Sequence, residues 1–181
     1  SSTNLELQGA LFEFNDNTIT STASDPIGFS GKLTSSSRYT VSTTTVSVTT
    51  AGSGVELTGA ISGSSTVTVN SSTISVSGST NCFGLLLRGS IAGSSSVLLQ
   101  NSTITSATTG QLGGQYAYGV SLAGATNSTL RISGGSQVTA TSTNSHAVTI
   151  DFTAAFTNST MSISVGSQVT ATSTNSRVYT I

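Results

Sequence analysis

Residues 84–105 contain the pattern that determines the fold: Gly84-Leu85-Leu86-Leu87-Arg88-Gly89, a Ser-rich link, and then Val97-Leu98-Leu99-Gln100-Asn101-Ser102-Thr103-Ile104-Thr105. The first piece predicts a strand that ends in Gly. A turn, a second strand, a tight Asn-Ser turn and a third strand follow. Apolar residues alternate with a period of two, which indicates strands rather than helices. Val, Ile and Thr are also favoured in strands. We treat this unit as one coil.

The first-strand pattern, apolar-x-apolar-x-Gly, recurs along the whole chain. A sixth copy has Phe in place of Gly, and a seventh begins where the sequence stops. Their starting positions, separated by 22, 28, 30, 35, 28 and 31 residues, are Leu5, Ile27, Val55, Leu85, Val120, Val148 and Tyr179.

The second and third strands recur with the same order. Four coils have a seven-residue step from the first apolar position of the second strand to the third strand, and two have a step of eight. The six pairs are Phe12 and Ile19, Tyr39 and Val46, Val67 and Ile74, Val97 and Ile104, Leu130 and Val138, and Met161 and Val169. The last two coils also share the identical stretch GSQVTATSTNS at 135–145 and 166–176.

Short strands at a period near 30 residues, in units that cannot bury their own apolar face, indicate a solenoid. We therefore predict an all-β parallel β-helix with three strands per coil and about six coils, right-handed by the crossover rule. A β-sandwich also contains many short strands, but it does not repeat similar turns in consecutive units of this length. The predicted single domain, 1–181, divides into coils at about 4–26, 27–53, 54–83, 84–118, 119–146 and 147–177, with a seventh beginning at 178–181.

Stacking of the coils predicts continuous columns of side chains. One buried column is expected to contain Leu7, Phe29, Leu57, Leu87, Leu122 and Ile150. The repeated Gly predicts a corner that needs positive φ or leaves no room for Cβ.

The composition excludes several classes of protein. Charged residues make up 6% of the chain and the net charge is −1. Because nucleic-acid binding needs clustered Lys and Arg, we expect no nucleic-acid partner. No apolar run has the length of a membrane span, about 20 residues. Cys82 is the only cysteine, so we expect a buried thiol or a link to another chain.

Four Asn-x-Ser/Thr sequons suggest N-glycosylation at predicted turns: Asn70, Asn101, Asn127 and Asn158. A Ser/Thr-rich sequence also produces sequons by chance. Placement at a corner would make a glycan accessible. Ser and Thr number 70, so O-linked glycans are a further expectation.

Thr and Ser recur at the outward positions of the third strand and predict a ladder on one face of the solenoid. Its Thr members are Thr18, Thr20, Thr45, Thr73, Thr103, Thr105, Thr139 and Thr170. A regular Thr-x-Thr face resembles the surface of ice-binding proteins. Thr is also simply a good outward strand residue, and Ser and Gln interrupt this array.

The longest irregular piece, 107–118, reads ATTGQLGGQYAY. It is expected to protrude as a loop and is a candidate ligand site, because loops on a rigid scaffold often carry function. The candidate contacts are Gln111, Gln115, Tyr116 and Tyr118. A tolerated insertion at a coil corner is the alternative.

No catalytic, metal or cofactor site is predicted. Glu6 and Glu56 would share an outward column, two rungs apart, at the outer limit of a glycosidase pair; Glu56 is expected to be a solvated surface acid. Arg88 and Asp151 would share another column and form at most a weak ion pair. His146 and Cys82 are too few for a metal site of nitrogen and sulfur ligands.

The apolar-x-apolar-x-Gly strand, the NSTIT-like turn and the low charge resemble extracellular right-handed β-helix surface proteins. The chain is most similar to the large repetitive surface glycoproteins of protists, such as the trypanosome dispersed gene family. This resemblance implies a secreted or cell-surface glycoprotein with a structural or adhesive role.

We expect an extracellular structural glycoprotein that forms part of a filament, fibre or adhesin stalk. Its partners would be further copies stacked head to tail, or flanking repeats of the same chain, because an uncapped solenoid end templates further strand pairing. The alternatives are an ice- or carbohydrate-binding solenoid, which would use the Thr ladder or the 107–118 piece, and a polysaccharide-processing enzyme.

Overall fold

A computed structural model describes residues 5–22, 26–110, 114–175 and 177–179. These residues contain strands and turns and no helix. All the strand pairs are parallel, and equivalent strands of successive coils lie side by side in three sheets of six strands. The predicted parallel β-solenoid is therefore confirmed, with about five turns.

The three main sheets correspond to the three predicted strands of each coil. The first sheet contains β4 (Ile27–Phe29), β8 (Gly52–Leu57), β11 (Cys82–Leu87), β14 (Tyr116–Leu122), β18 (His146–Phe152) and β22 (Val178–Tyr179). The second sheet contains β2 (Leu11–Asn15), β6 (Arg38–Ser42), β9 (Thr66–Asn70), β12 (Ser96–Gln100), β16 (Thr129–Ser133) and β20 (Thr160–Ile163). The third sheet contains β3 (Thr18–Ser21), β7 (Thr45–Val48), β10 (Thr73–Gly78), β13 (Thr103–Thr108), β17 (Gln137–Ser142) and β21 (Gln168–Ser173).

A short fourth element, absent from the prediction of three strands per coil, lies between the first and second sheets. It consists of β1 (Leu5–Gln8) paired with β5 (Gly31–Thr34), and of β15 (Ala125–Thr126) paired with β19 (Phe156–Thr157). Three successive single bridges join the two pairs: Leu33 to Ile61, Ile61 to Ile91, and Ile91 to Ala125. The only sign of this element in the sequence of each coil is one apolar residue shortly after the corner Gly.

Two members of the predicted buried column are placed wrongly. Leu7 pairs with Leu33 in the fourth element, not with Phe29. Ile150 pairs with Val120, so Phe152 is the residue beside Leu122. In both cases the strand has the right pattern but a different partner, because apolar alternation alone does not distinguish neighbouring registers.

The predicted registers of the second and third strands are confirmed. The six apolar pairs of the second and third strands align across all rungs. Their inward side chains form one core along the solenoid, with Val41, Val69, Ile74, Leu99 and Ile132 at 0% exposure. A solenoid buries its apolar faces by stacking in this way.

The Gly corner is explained by close backbone approach. A Cβ on Gly89 would overlap the backbone of Gly59, and one on Gly59 would overlap the backbone of Gly31. Neither Gly59 nor Gly89 has positive φ. Lack of space, rather than a left-handed conformation, therefore requires Gly in this column.

Candidate functional site

A bend in the first sheet forms a groove on the solenoid surface. In a regular strand, residues three apart lie on opposite faces. Here Phe83 and Leu86 both line one surface groove. The bend falls at Gly84, where a Cβ would overlap the Ile104 side chain. Gly119 occupies the same position in the next rung and is equally crowded.

The groove has a cavity of about 310 Å³ and spans three consecutive rungs. Its floor is the column Leu86, Ser121 and Asp151, which pair in register. Leu86 and Ser121 are 5% and 3% exposed although they lie on the outward face. A cavity of this size is at the lower end of small-molecule sites, about 300–1,000 Å³.

One wall of the groove is aromatic. Phe83 and Tyr118 pair in neighbouring rungs, and their rings stack with centroids 4.8 Å apart and planes within 2°. Tyr116 stacks on Tyr118 at 5.3 Å and contacts His146 at 4.9 Å. Burial raises the pKa of Tyr118 to about 12, assisted by the nearby Asp151 and Tyr116. The phenol therefore stays protonated and can donate a hydrogen bond over the physiological pH range.

The opposite wall carries Arg88, with Ala123 and Thr153 in the following rungs. Arg88 Nε donates a hydrogen bond to Glu56 Oε1 in the preceding coil and forms an ion pair with it. The Glu56 side chain is 10% exposed and that of Arg88 59%. The prediction of Glu56 as a solvated surface acid is therefore wrong, since it is buried and paired. Glu6 does not share its column, because Glu6 pairs with Lys32 in the fourth element.

Asp151 lies at the floor of the groove without a cationic partner among the residues that the structure describes. The predicted column shared with Arg88 is wrong, since Asp151 pairs in register with Ser121. The Ser121 hydroxyl donates a hydrogen bond of 3.5 Å to Asp151 Oδ2. Burial raises the pKa of the Asp151 carboxyl above its ordinary value, and the Ser121 hydrogen bond opposes this shift. The groove thus holds one uncompensated carboxylate.

A second cavity, of about 520 Å³, adjoins the groove and shares Tyr118 and Asp151 with it. Its other lining residues are Tyr116, Val148, Ile150, Phe152 and Tyr179. Aromatic side chains with a few polar groups therefore continue along the first sheet over several rungs, as at ligand sites that combine apolar surface with a few polar groups.

The predicted 107–118 loop is shorter than expected. Residues 107–108 end β13 and residues 116–118 begin β14, so Tyr116 and Tyr118 are half-buried strand residues and not loop residues. Gln115 precedes β14, and its Oε1 is buried without a hydrogen-bond partner among the described atoms. Gln111 lies outside the described residues. The two Tyr side chains therefore belong to a candidate site on the face of the first sheet, not to a site on a loop.

The sequons lie at the corners with one exception. Asn101, Asn127 and Asn158 are exposed and have φ of 50°, 50° and 48°. Asn70 is instead the last residue of β9, and the following Ser71 has the positive φ. Asn tolerates the left-handed region better than most residues. The turn itself therefore accounts for Asn at three of the four positions, and glycosylation stays a prediction.

The Thr ladder has the predicted registers. Thr18, Thr45, Thr73 and Thr103 form one column, which Gln137 and Gln168 continue. Thr20, Thr105, Thr139 and Thr170 belong to the neighbouring column, in which Ser47 and Ser75 replace Thr. Only Thr103, Thr105 and Thr139 among the predicted Thr are partly shielded; the other five are exposed.

Within the described part of the chain, no group of three or more His, Cys, Asp or Glu side chains is placed to hold a metal ion. The same residues include no helix long and apolar enough to cross a membrane. Cys82 is buried, as one of the two predicted possibilities requires, and burial raises the pKa of its thiol to about 11.

A scan against family models, a search of curated proteins and a search of solved structures each found no match. The groove is therefore interpreted from the residues of this chain and their geometry. The fold and site define a β-solenoid with an aromatic, weakly charged groove on one sheet.

Sequence reasoning missed Phe83, Ser121 and the link between Arg88 and Glu56. The sequence does contain a signal for Phe83, because Phe83-Gly84 and Tyr118-Gly119 each place an aromatic residue directly before a Gly in consecutive coils. The Arg88–Glu56 pair had no such signal, because the two residues lie in different columns of adjacent rungs.

Proposed function

We propose that this protein is an extracellular or cell-surface β-solenoid that binds carbohydrate in the groove on its first sheet. The observation that supports the proposal is the composition of that groove. In a chain with 6% charged and 6% aromatic residues, Phe83, Tyr118, Arg88 and Asp151 line one cavity. Aromatic surface beside hydrogen-bonding groups suits a sugar, which presents both C–H faces and hydroxyls.

Binding is favoured over cleavage by the spacing of the acids. Glu56 and Asp151 belong to one column, three rungs apart, which is about 14 Å at a strand spacing of about 4.8 Å. Glycosidases that use two carboxylates hold them about 5–9.5 Å apart. In addition, Glu56 is occupied by Arg88. Among the described residues, the groove therefore has no second acid at the spacing that two-carboxylate glycosidases use.

A glycan array tests the proposal with two variants. Tyr118→Ala removes the central aromatic surface of the groove, and we expect it to lose about 5- to 150-fold in affinity, as about 1–3 kcal/mol per anchor implies. Thr105→Ala, on the third sheet, is the matched control and should bind like the wild type. Wild-type protein that is folded and binds no glycan would refute the proposal. Loss of binding in Thr105→Ala alone would move the site to the Thr ladder.

A rigid structural rod is the second candidate, as part of a surface filament, fibre or adhesin stalk that stacks with copies of itself or with flanking repeats. It is supported by the regularity of the rungs, which pair in parallel through all three main sheets. Glycosylation at the sequons and a relation to protist surface glycoproteins belong to this proposal. Electron microscopy at high protein concentration tests it: filaments would support end-to-end assembly, whereas monodisperse short rods would exclude it for this chain.

A further inference from the structure

The distribution of charge in the groove carries an inference about the kind of sugar, which rests on the proposed function. Of the residues that the structure describes, Arg88 is the only one with a cationic side chain that lines the cavity of about 310 Å³. Its guanidinium is bound through Nε to the buried Glu56 carboxylate. The pair is therefore neutral as a unit, and the Nη atoms of Arg88 remain as hydrogen-bond donors rather than as an unbalanced charge.

Asp151 supplies the remaining charge. Its carboxylate lies on the floor, receives one long hydrogen bond from Ser121, and has no ion-pair partner among the described residues. Summing Glu56, Arg88 and Asp151 leaves one negative charge at the groove. An anionic ligand placed between Arg88 and Asp151 would be repelled by this charge.

We infer that the groove selects neutral, hydroxyl-rich saccharides and rejects acidic ones, and that Glu56 sets this selectivity by neutralising Arg88. The hydroxyls of a neutral sugar can donate to Asp151 and accept from Arg88 and Tyr118. A uronate or sialate carboxylate could use only Arg88, in competition with Glu56. Glu56 acts here through Arg88 and is thus a positioning residue.

The test uses an array of matched pairs in which hexose oligosaccharides are printed beside the corresponding uronates: glucose and glucuronate, galactose and galacturonate, mannose and mannuronate. We expect the wild type to bind at least one neutral member and to bind its uronate partner at least about tenfold more weakly. The difference should shrink in 0.5 M NaCl, because salt screens charges at a partly exposed site.

Glu56→Gln is the deciding variant. Gln can still accept the Arg88 Nε hydrogen bond, but the groove gains one positive charge, so uronate binding should rise several-fold while neutral binding changes little. Asp151→Asn makes the same change of charge without touching Arg88 and serves if Glu56→Gln does not fold. Because Asp151 itself lines the groove, the quantity compared for this variant is the ratio of uronate to neutral binding, which should rise several-fold. Arg88→Gln changes the charge in the opposite direction and should weaken uronate binding further.

The outcomes separate the two claims. A folded wild type that binds no member of any pair refutes carbohydrate binding itself. A wild type that binds uronates as well as their neutral partners leaves carbohydrate binding intact and overturns the charge selectivity. Unchanged uronate binding in both folded charge variants would also overturn it.

Discussion

The backbone amide of Ser72 donates a hydrogen bond of 3.2 Å to the hydroxyl of Ser102 in the next rung. The Ser102 hydroxyl donates in turn to the carbonyl of Gln100 at 2.8 Å. Thr44 to Ser72 and Ser102 to Ser136 repeat the same link at 3.1 Å each. Thr44, Ser72, Ser102 and Ser136 are buried. The Ser after each corner residue therefore satisfies a buried amide that the sheets leave unpaired.

Ser102→Ala should destabilise the protein by about 1–3 kcal/mol, because the buried amide of Ser72 loses its acceptor. Urea denaturation followed by circular dichroism measures this change. Ser77→Ala is the matched control, since Ser77 is exposed near the end of β10; it should stay within about 0.5 kcal/mol of the wild type. Equal effects of the two substitutions would show that the hydroxyl link contributes no stability.

Gly89→Ala should destabilise the corner by at least about 1–3 kcal/mol, the usual range for overpacking. The added methyl group would overlap the backbone of Gly59 in the preceding rung, and backbone atoms cannot move aside without shifting the coil. Thermal unfolding of the purified protein measures the loss. The neighbouring exposed residue gives the control, Ser90→Ala, which should melt like the wild type. A Gly89→Ala protein of wild-type stability would contradict the steric explanation of the Gly column.

The rungs could be predicted from sequence because each carries a strong, repeated signal. Tyr39, Val67, Val97 and Leu130 align through spacing alone, and the structure pairs them in that order. The fourth element escaped prediction because Ile61 and Ile91 contribute only single bridges. One apolar residue has no periodicity from which a strand can be inferred.

The groove could be predicted only in part. The sequence predicts Tyr116 and Tyr118 as candidate contacts, but as members of a loop, because Gly-rich sequence precedes them. The bend at Gly84 and Gly119 places residues three apart on one surface, which strand periodicity does not anticipate. Contacts between columns, such as Arg88 with Glu56, depend on side-chain reach and not on register.

Cys82 should not react with a thiol reagent in the folded protein. It is 0% exposed, and burial raises the pKa of its thiol to about 11, so the reactive thiolate is scarce at pH 8. Colour development with a disulfide reagent should be absent in buffer and complete in urea. A Cys82→Ala, Ser77→Cys double variant carries an exposed thiol and should react at once without denaturant. Rapid labelling of the folded wild type would show that Cys82 is accessible.

Expression in a eukaryotic secretory pathway should add N-glycans at the exposed corners. Asn101, Asn127 and Asn158 are exposed, so a glycan there would not disturb the core. We expect the intact mass to fall after enzymatic deglycosylation. Asn101→Gln, Asn127→Gln and Asn158→Gln should each remove one increment of mass. A mass equal to that of the bare chain, before any treatment, would make the glycosylation prediction wrong.

Asp151→Asn should raise the melting temperature at pH 7 but give little or no gain at pH 3. Burial holds the pKa of Asp151 above its ordinary value of 3.8 in the folded protein. As the pH rises from that ordinary value through the folded-state pKa, the unfolded chain loses its proton first. The free energy of unfolding therefore decreases progressively over this pH range, and above the folded-state pKa the decrease stays constant. Asn does not titrate, so the variant avoids this loss.

Melting temperatures of the two proteins from pH 3 to pH 8 measure the effect. Ser121→Ala is the control that keeps the carboxyl group: without the Ser121 hydrogen bond, which opposes the shift, the pH dependence should become steeper than in the wild type. If Asp151→Asn also weakens glycan binding, the unpaired carboxylate is retained for the ligand at the expense of stability, a trade-off common at functional sites. A stability difference that does not change with pH would show that Asp151 is not desolvated in the groove.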